Sequence, residues 1–297
     1  SVDNAGNIDD KHTVEVKVDK TAPTTVSNVE DKWYTAAVDV ELTAKDDQSG
    51  VKATYYSIDG ADFREGTNLT IEKEGTHTIT FYSIDNAGNI ENKHTVEVKI
   101  DKTAPTIKAD LPTEFALGSS FDLKYEAADN LSGMKETYVE VNGMKNTTGK
   151  ITLNKPGENT IKITAIDNAG LKTVVEKTVT TFIPAMIEVT PKVINCNNGE
   201  FTVRATLPKG YGFANVDLST VTVNNVHALS DSKGLQNQAK NGQFKFERDD
   251  FVWDENEELL VFRAKVGGVL VVGSTTVDVI NYQKKSCSNN WLFDLLF

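Results

Sequence analysis

The sequence predicts an all-β protein of tandem antiparallel β-sandwiches, and two observations carry this prediction. Apolar and polar residues alternate with a period of two over many short segments, as at Val96, Val98 and Ile100, whereas helical periodicity is nearly absent. Strands with this alternation place one face on a core and the other in water, as antiparallel sandwiches require. Residues 1–23 also return at 83–105 with 19 of 23 positions identical, which indicates a tandem repeat.

The repeat divides the chain into successive modules. Residue 1 corresponds to position 83, so we expect residues 1–20 to be the last strands of a truncated preceding repeat, continuous with further domains upstream. A full repeat is predicted at 21–102. A diverged one is predicted at 103–183, because ADNLSG at 128–133 matches KDDQSG at 45–50. Each has roughly 80 residues with closely spaced turn signals, which favours immunoglobulin-like sandwiches arranged like beads on a string.

The remainder of the chain lacks the repeat's markers. Residues 184–282 keep the alternation, for example at Phe201 and Val203, and a third, accessory β-sandwich is predicted there. Residues 283–297 match neither repeat nor linker, and their origin stays open. The chain has two cysteines, Cys196 and Cys287, which excludes a small disulfide scaffold; whether the two pair stays open.

Composition excludes several classes of function. The net charge of −12 and the lack of a basic stripe argue against nucleic acid as a partner. No apolar run is long enough to cross a bilayer, so membrane insertion is not expected. The chain also lacks HExxH, GxSxG and P-loop motifs, so we do not expect an enzyme. Acidic loops suit Ca²⁺, with a merely solvated surface as the alternative.

Aspartates gather at the joints between the predicted modules. In such a sandwich the incoming linker, the B–C loop and the F–G turn lie at one end, so their carboxylates are expected to be neighbours. Oxygen ligands of this kind suit Ca²⁺, although Asp and Asn also cap turns without any metal, and both interpretations stay open. The candidate ligands are Asp19, Asp46, Asp47, Asp85 and Asn89 at one joint, and Asp101, Asp129 and Asp167 at the next.

The joint into the third module departs from this pattern. Ile183 stands where the linker aspartate would be, and Leu171 replaces the asparagine of the repeated turn. No metal is therefore expected at that joint. The acidic run from Asp249 to Glu258 is interpreted as a solvated face.

Aromatic residues suggest an alternative function. Trp33 and Tyr34, together with Tyr55 and Tyr56, could form a platform for a sugar ring, and half-buried strand aromatics are the competing interpretation. Trp253, beside the acidic run, is equally ambiguous. On this alternative the modules bind a glycan, or a ligand on a host or cell-wall surface, as accessories to a secreted glycan-active enzyme.

Several motifs occur together and in a constant order. These are DxxSGV, which ends at Val51 and includes Asp47 with Asp46 one position earlier, YSIDG at 56–60, SIDNAGN at 83–89 and the VDKTAP linker. In this combination, residues 1–183 resemble the bacterial Ig-like (Big-type) repeats of large secreted enzymes and surface adhesins. Residues 184–282 more weakly resemble an accessory β-sandwich of secreted bacterial proteins. The resemblance implies an extracellular or cell-surface spacer, in which aspartates at the domain junctions hold Ca²⁺ and stiffen the array.

Overall fold

Strands form nearly all the regular structure of the chain, in a computed structural model that describes residues 1–195, 199–253 and 257–280. The all-β prediction is confirmed. The chain forms two compact units, one of residues 1–106, 127–137 and 165–173, and one of residues 107–126, 138–164 and 174 onward. Cys196, Cys287 and the segment 283–297 lie outside the described residues.

The first full repeat is a two-sheet immunoglobulin-like sandwich. One sheet has the order β1-β3-β6 and the other β2-β8-β7-β4-β5, with antiparallel pairing except between β2 and β8. Val38, Val40 and Leu42 on β3 point into the core between the sheets, while the intervening Asp39 and Glu41 face water. The strands are β1 Thr24–Ser27, β2 Trp33–Tyr34, β3 Val38–Lys45, β4 Val51–Ile58, β5 Arg64–Glu65, β6 Asn68–Ile71, β7 Gly75–Asp85 and β8 His94–Ile100.

The diverged repeat has a core of its own, built from Leu111, Val139, Ile151, Leu153, Ile161, Ile163 and Val179. Its β11 and β15 pair antiparallel, while β10 lies parallel to β17. The strands are β9 Thr106–Ala109, β10 Glu114–Ala116, β11 Ser120–Asp122, β12 Tyr125–Ala128, β13 Met134–Val141, β14 Met144–Asn146, β15 Lys150–Thr152, β16 Gly157–Asp167 and β17 Lys172–Pro184.

The third module is also a β structure around one core, in which Trp253, Phe201 and Phe246 are fully buried. A short helix, α1, begins where the Ser232 side chain accepts a hydrogen bond from Leu235 N at 3.2 Å. The elements are β18 Met186–Thr190, β19 Val193–Asn195, β20 Glu200–Thr206, β21 Val216–Val223, β22 Val226–His227, α1 Lys233–Ala239, β23 Gln243–Glu247, a 3₁₀ turn Arg248–Asp250, β24 Glu257–Val266 and β25 Val269–Ile280.

The expected boundary between residues 183 and 184 falls inside β17. Ile183 pairs in parallel with Val271 on β25, and Ala185 N donates to Val272 O at 2.8 Å. The sheet of the diverged repeat thereby continues into the sheet of the third module. None of the helices in the described ranges is long and apolar enough to cross a membrane.

Candidate metal centre

The repeated DNAGN turn holds its aspartate in one fixed orientation. Asp85 ends β7, and its Oδ1 accepts a hydrogen bond from Asn89 N at 2.8 Å; Asp167 ends β16 and accepts from Leu171 N at 2.8 Å. Each turn closes through a glycine with positive φ, at +94° for Gly88, a conformation that residues with a Cβ rarely adopt. The sequence therefore folds locally so that one carboxylate per module points back beneath the turn.

The loop before β4, and its counterpart before β13, orient a second carboxylate. Asp46 Oδ2 accepts from the backbone N–H groups of Ser49 at 2.8 Å and Gly50 at 2.6 Å. Asp129 Oδ2 makes the equivalent bond to Gly133 N at 2.7 Å. These are Asx-type caps, and they account for the aspartate that opens each DxxSG motif.

The linker supplies the third carboxylate. Asp101 receives hydrogen bonds on both oxygens, from Thr103 N at 3.0 Å and from Ser132 N at 3.1 Å. Asp19 repeats this arrangement with Thr21 N and Ser49 N. The linker aspartate thus fastens the incoming chain to the loop that carries the second carboxylate, a role for backbone donors that the sequence pattern did not reveal.

The aspartates converge into two clusters. Asp19, Asp46 and Asp85 form the upstream cluster, and Asp101, Asp129 and Asp167 form the downstream cluster. In each cluster, one carboxylate oxygen per residue lies within 4.8 Å of the other two. Asp47 is exposed and stands outside the upstream cluster. Convergence is the geometry that the sequence predicted, and metal binding itself stays a prediction.

The Asn89 side chain distinguishes the upstream cluster. Its Nδ2 donates to Asp85 Oδ2 at 2.7 Å and lies 3.3 Å from the carbonyl oxygen of Asp19 and 3.4 Å from that of Thr21. Both oxygens of Asp85 are therefore occupied. Burial raises the pKa of Asp85, but these hydrogen bonds from the Asn89 side chain and backbone outweigh it, so the pKa lies below its ordinary value.

The downstream cluster lacks this amide, because Leu171 occupies the equivalent turn position. Asp167 is fully buried, and its Oδ2 has no hydrogen-bond partner among the described residues. Asp101 is also fully buried. Two unit charges 4.8 Å apart repel by about 3.5 kcal/mol at an effective dielectric constant of about 20, and by about 0.9 kcal/mol in water. This cluster therefore combines mutual repulsion with an unsatisfied anionic oxygen.

The four aromatic residues considered for a sugar platform do not share one surface. Tyr34 and Tyr56 pack against the core of the first repeat, and Trp33 is half-buried. Tyr55 instead stacks on Tyr82, with ring centroids 5.4 Å apart. These tyrosines are therefore divided between the core and the outer face of the sheet rather than presenting one common surface.

Trp253 and His94 both pack against other aromatic side chains, and part of the acidic run is shielded from solvent. Trp253 is buried and stacks on Phe251 at 5.1 Å. His94 is partly exposed, stacks on Phe81 and lies 3.3 Å from the buried Glu91 carboxylate. Glu91 also accepts a backbone hydrogen bond at 3.0 Å from Thr25 on the opposite sheet. Of the acidic run, Asp249 is half-buried rather than fully solvated, and residues 254–256 lie outside the described residues.

Comparisons with known proteins give structural likeness without sequence kinship. No family model and no curated protein matches the sequence. The ICAM-5 D1–D4 ectodomain fragment is 11% identical, with 86% of this chain and 76% of that chain covered at a TM-score of 0.38. The fibronectin(III)-like modules of Clostridium thermocellum CbhA are 12% identical, with 54% and 94% covered at a TM-score of 0.32.

A glycan-binding protein is among the similar structures. SGBP-B from the mixed-linkage glucan utilization locus of Bacteroides ovatus, solved with a mixed-linkage heptasaccharide, is 13% identical, with 88% of this chain and 71% of that chain covered at a TM-score of 0.23. All three TM-scores lie below 0.5, so the fold assignment rests on the sheets described above. The chain is a tandem array of immunoglobulin-like β-sandwich modules.

Proposed function

We propose that the chain is a non-catalytic spacer of an extracellular or cell-surface protein, and that Ca²⁺ bound by the downstream cluster stiffens it. The observation that carries the metal part is the buried Oδ2 of Asp167, which has no hydrogen-bond partner in the part of the chain that the structure describes and lies beside two further carboxylates. A buried anionic oxygen without a donor is costly, and a cation would satisfy it.

The donor set fits Ca²⁺ better than a transition metal. The cluster offers carboxylate oxygens from Asp101, Asp129 and Asp167, and no histidine or cysteine among the described residues joins it. Hard oxygen ligands of this kind suit Ca²⁺, which also accepts irregular geometry and water. Since the three ligands come from the linker, a loop and a turn, a bound ion would tie the linker to the module that follows it.

The spacer part rests on the way the modules are made. Each buries its own apolar core, and the aspartate clusters form where a linker meets a loop and a turn. Carboxylates at linkers bear on how firmly one module is held to the next, whereas catalysis requires a pocket that positions a substrate.

Thermal unfolding of the whole chain tests the metal part. We expect the midpoint to rise in Ca²⁺ relative to a chelator, because binding to the folded state at about 100 times Kd adds about 2.7 kcal/mol. The rise should be smaller with Mg²⁺, which requires near-octahedral geometry. Asp129→Asn should abolish the shift, whereas the exposed Asp47→Asn should retain it. An unfolding midpoint that is the same in Ca²⁺ and in chelator would overturn the metal part of the proposal.

A further inference from the structure

We infer that the residue at the end of the repeated turn, Asn89 in one module and Leu171 in the next, decides whether a joint needs a cation. This inference rests on the proposed function, since it takes the downstream cluster as the Ca²⁺ site. It adds that the two clusters differ in their need for a cation, and it assigns this difference to one side chain.

The two clusters share several of the hydrogen bonds that orient their carboxylates. Asp19 and Asp101 accept from equivalent linker and loop N–H groups, and Asp46 and Asp129 cap equivalent loops. A further amide secures each turn in the same way, because Asn168 Nδ2 donates to Ser132 O at 2.8 Å just as Asn86 donates to Ser49 O at 2.9 Å. With these bonds shared, the side chain at the end of the turn, an amide in one module and an alkyl group in the next, is the difference that bears directly on Asp85 and Asp167.

The Asn89 side chain places an N–H group beside the Asp85 carboxylate, where a bound cation would otherwise lie. Its Nδ2 contacts the Asp85 carboxylate together with the linker carbonyls of Asp19 and Thr21. One amide thereby connects the turn to the linker, which is also what a bound ion would do. An ion entering the upstream cluster would have to compete with bonds that already exist.

Leu171 offers no donor to the corresponding atoms. Asp167 Oδ2 is left without a partner among the described residues, and the leucine side chain has no N–H to donate to it. A carboxylate oxygen of this kind is a ligand that Ca²⁺ takes. The downstream cluster is also the more buried, since Asp101 is fully enclosed whereas Asp19 is half-buried. The substitution of an amide by an alkyl group thus converts a self-supporting joint into a cation-dependent one.

Calcium titration of the full chain by calorimetry tests this assignment. The wild-type chain should bind one tight Ca²⁺. Leu171→Asn should weaken that site by about 10–100-fold, the usual effect of altering groups around a metal's ligands. Leu171→Ala is the matched control, because the alanine side chain also lacks an N–H and should keep the tight site. Asn89→Leu should create a second tight site in the upstream cluster.

The outcomes separate this inference from the proposed function. A wild-type chain that binds no Ca²⁺ overturns both. Two tight sites of equal affinity in the wild type, or an unweakened site in Leu171→Asn, overturn the inference and leave the proposed function standing. If Asn89→Leu fails to fold, the comparison of Leu171→Asn with Leu171→Ala still decides, and circular dichroism in chelator establishes that both are folded.

Discussion

Replacing Asp167 by asparagine should change stability in opposite directions with and without calcium. The substitution removes one of three charges that lie within 4.8 Å of one another. Each of the two repulsions lost is worth between about 0.9 and about 3.5 kcal/mol, depending on how much water screens it. The new amide keeps an oxygen for Leu171 N and places an N–H where the buried Oδ2 has no partner within residues 1–195, 199–253 and 257–280. In chelator we therefore expect stabilisation of about 2 kcal/mol or more.

In calcium the order should reverse. The wild-type chain gains about 2.7 kcal/mol at about 100 times Kd, whereas the variant has lost a ligand and gains little. Denaturant unfolding of both proteins, in EDTA and in saturating Ca²⁺, measures all four free energies of unfolding. The interaction between mutation and Ca²⁺, which a double-mutant cycle isolates, is then the decisive quantity.

Asp85→Asn is the matched control in the upstream cluster. Both oxygens of Asp85 accept hydrogen bonds, so an amide there would face the Asn89 Nδ2 donor with a donor of its own. The broken hydrogen bonds should cost about 1–3 kcal/mol and so offset the relief of repulsion, which this cluster shares because its three carboxylates also lie within 4.8 Å of one another. In EDTA we therefore expect Asp85→Asn to stabilise the chain less than Asp167→Asn does, or to destabilise it. If Asp167→Asn destabilised the chain in EDTA, or if the two variants had the same effect there, neither charge repulsion nor the unsatisfied oxygen would govern the stability of the downstream cluster.

Three further predictions concern single side chains. Gly273→Ala should cost about 1–3 kcal/mol in denaturant unfolding, because its Cβ would clash with the Ala185 carbonyl oxygen; Gly212→Ala, with open space, should change stability by less than about 0.5 kcal/mol. The hydrogen bond from His77 lowers the pKa of Asp59. The ionised Asp59 carboxylate therefore stabilises the folded chain above the ordinary value of 3.8, and this stabilisation is lost as the pH falls through the lowered pKa. Asp59→Asn should reduce the loss of unfolding free energy at acidic pH by less than about 1 kcal/mol, since the Asp59 side chain is half exposed. An acid dependence equal to that of the wild type would count against this role of Asp59. Glu91→Gln should cost about 1–3 kcal/mol by thermal unfolding, because its carboxylate accepts from backbone N–H groups of both sheets and an amide would meet one of them with a donor; a neutral effect would contradict this.

The sequence was sufficient for the fold class and for the convergence of the aspartates. Strand alternation places Val38, Val40 and Leu42 in the core, and the repeated turn and loop motifs fix where the carboxylates point. Both follow from local rules of period and capping. The same rules predict Asn89 as a ligand, whereas its side-chain nitrogen donates to Asp85. The orientation of the Asn89 amide depends on contacts with the linker as well as with its own turn. Such contacts between segments far apart in the chain do not follow from local sequence.

The pairing of β17 with β25 was equally hidden from the sequence, because the register of a parallel pair is set by partners far apart in the chain. It also gives Ile183 a physical role. At this position the repeats carry an aspartate, whereas here the side chain is buried in the core of the third module and its backbone joins a ladder. Leu117 packs against the same core, and Glu114 pairs with Arg263. Backbone hydrogen bonds and apolar burial do not depend on a cation, so we expect a chelator to leave the stability of this joint unchanged, unlike the stability that we propose for the downstream cluster. The aspartate becomes dispensable at this joint because a continuous sheet has taken over the task of tying one module to the next.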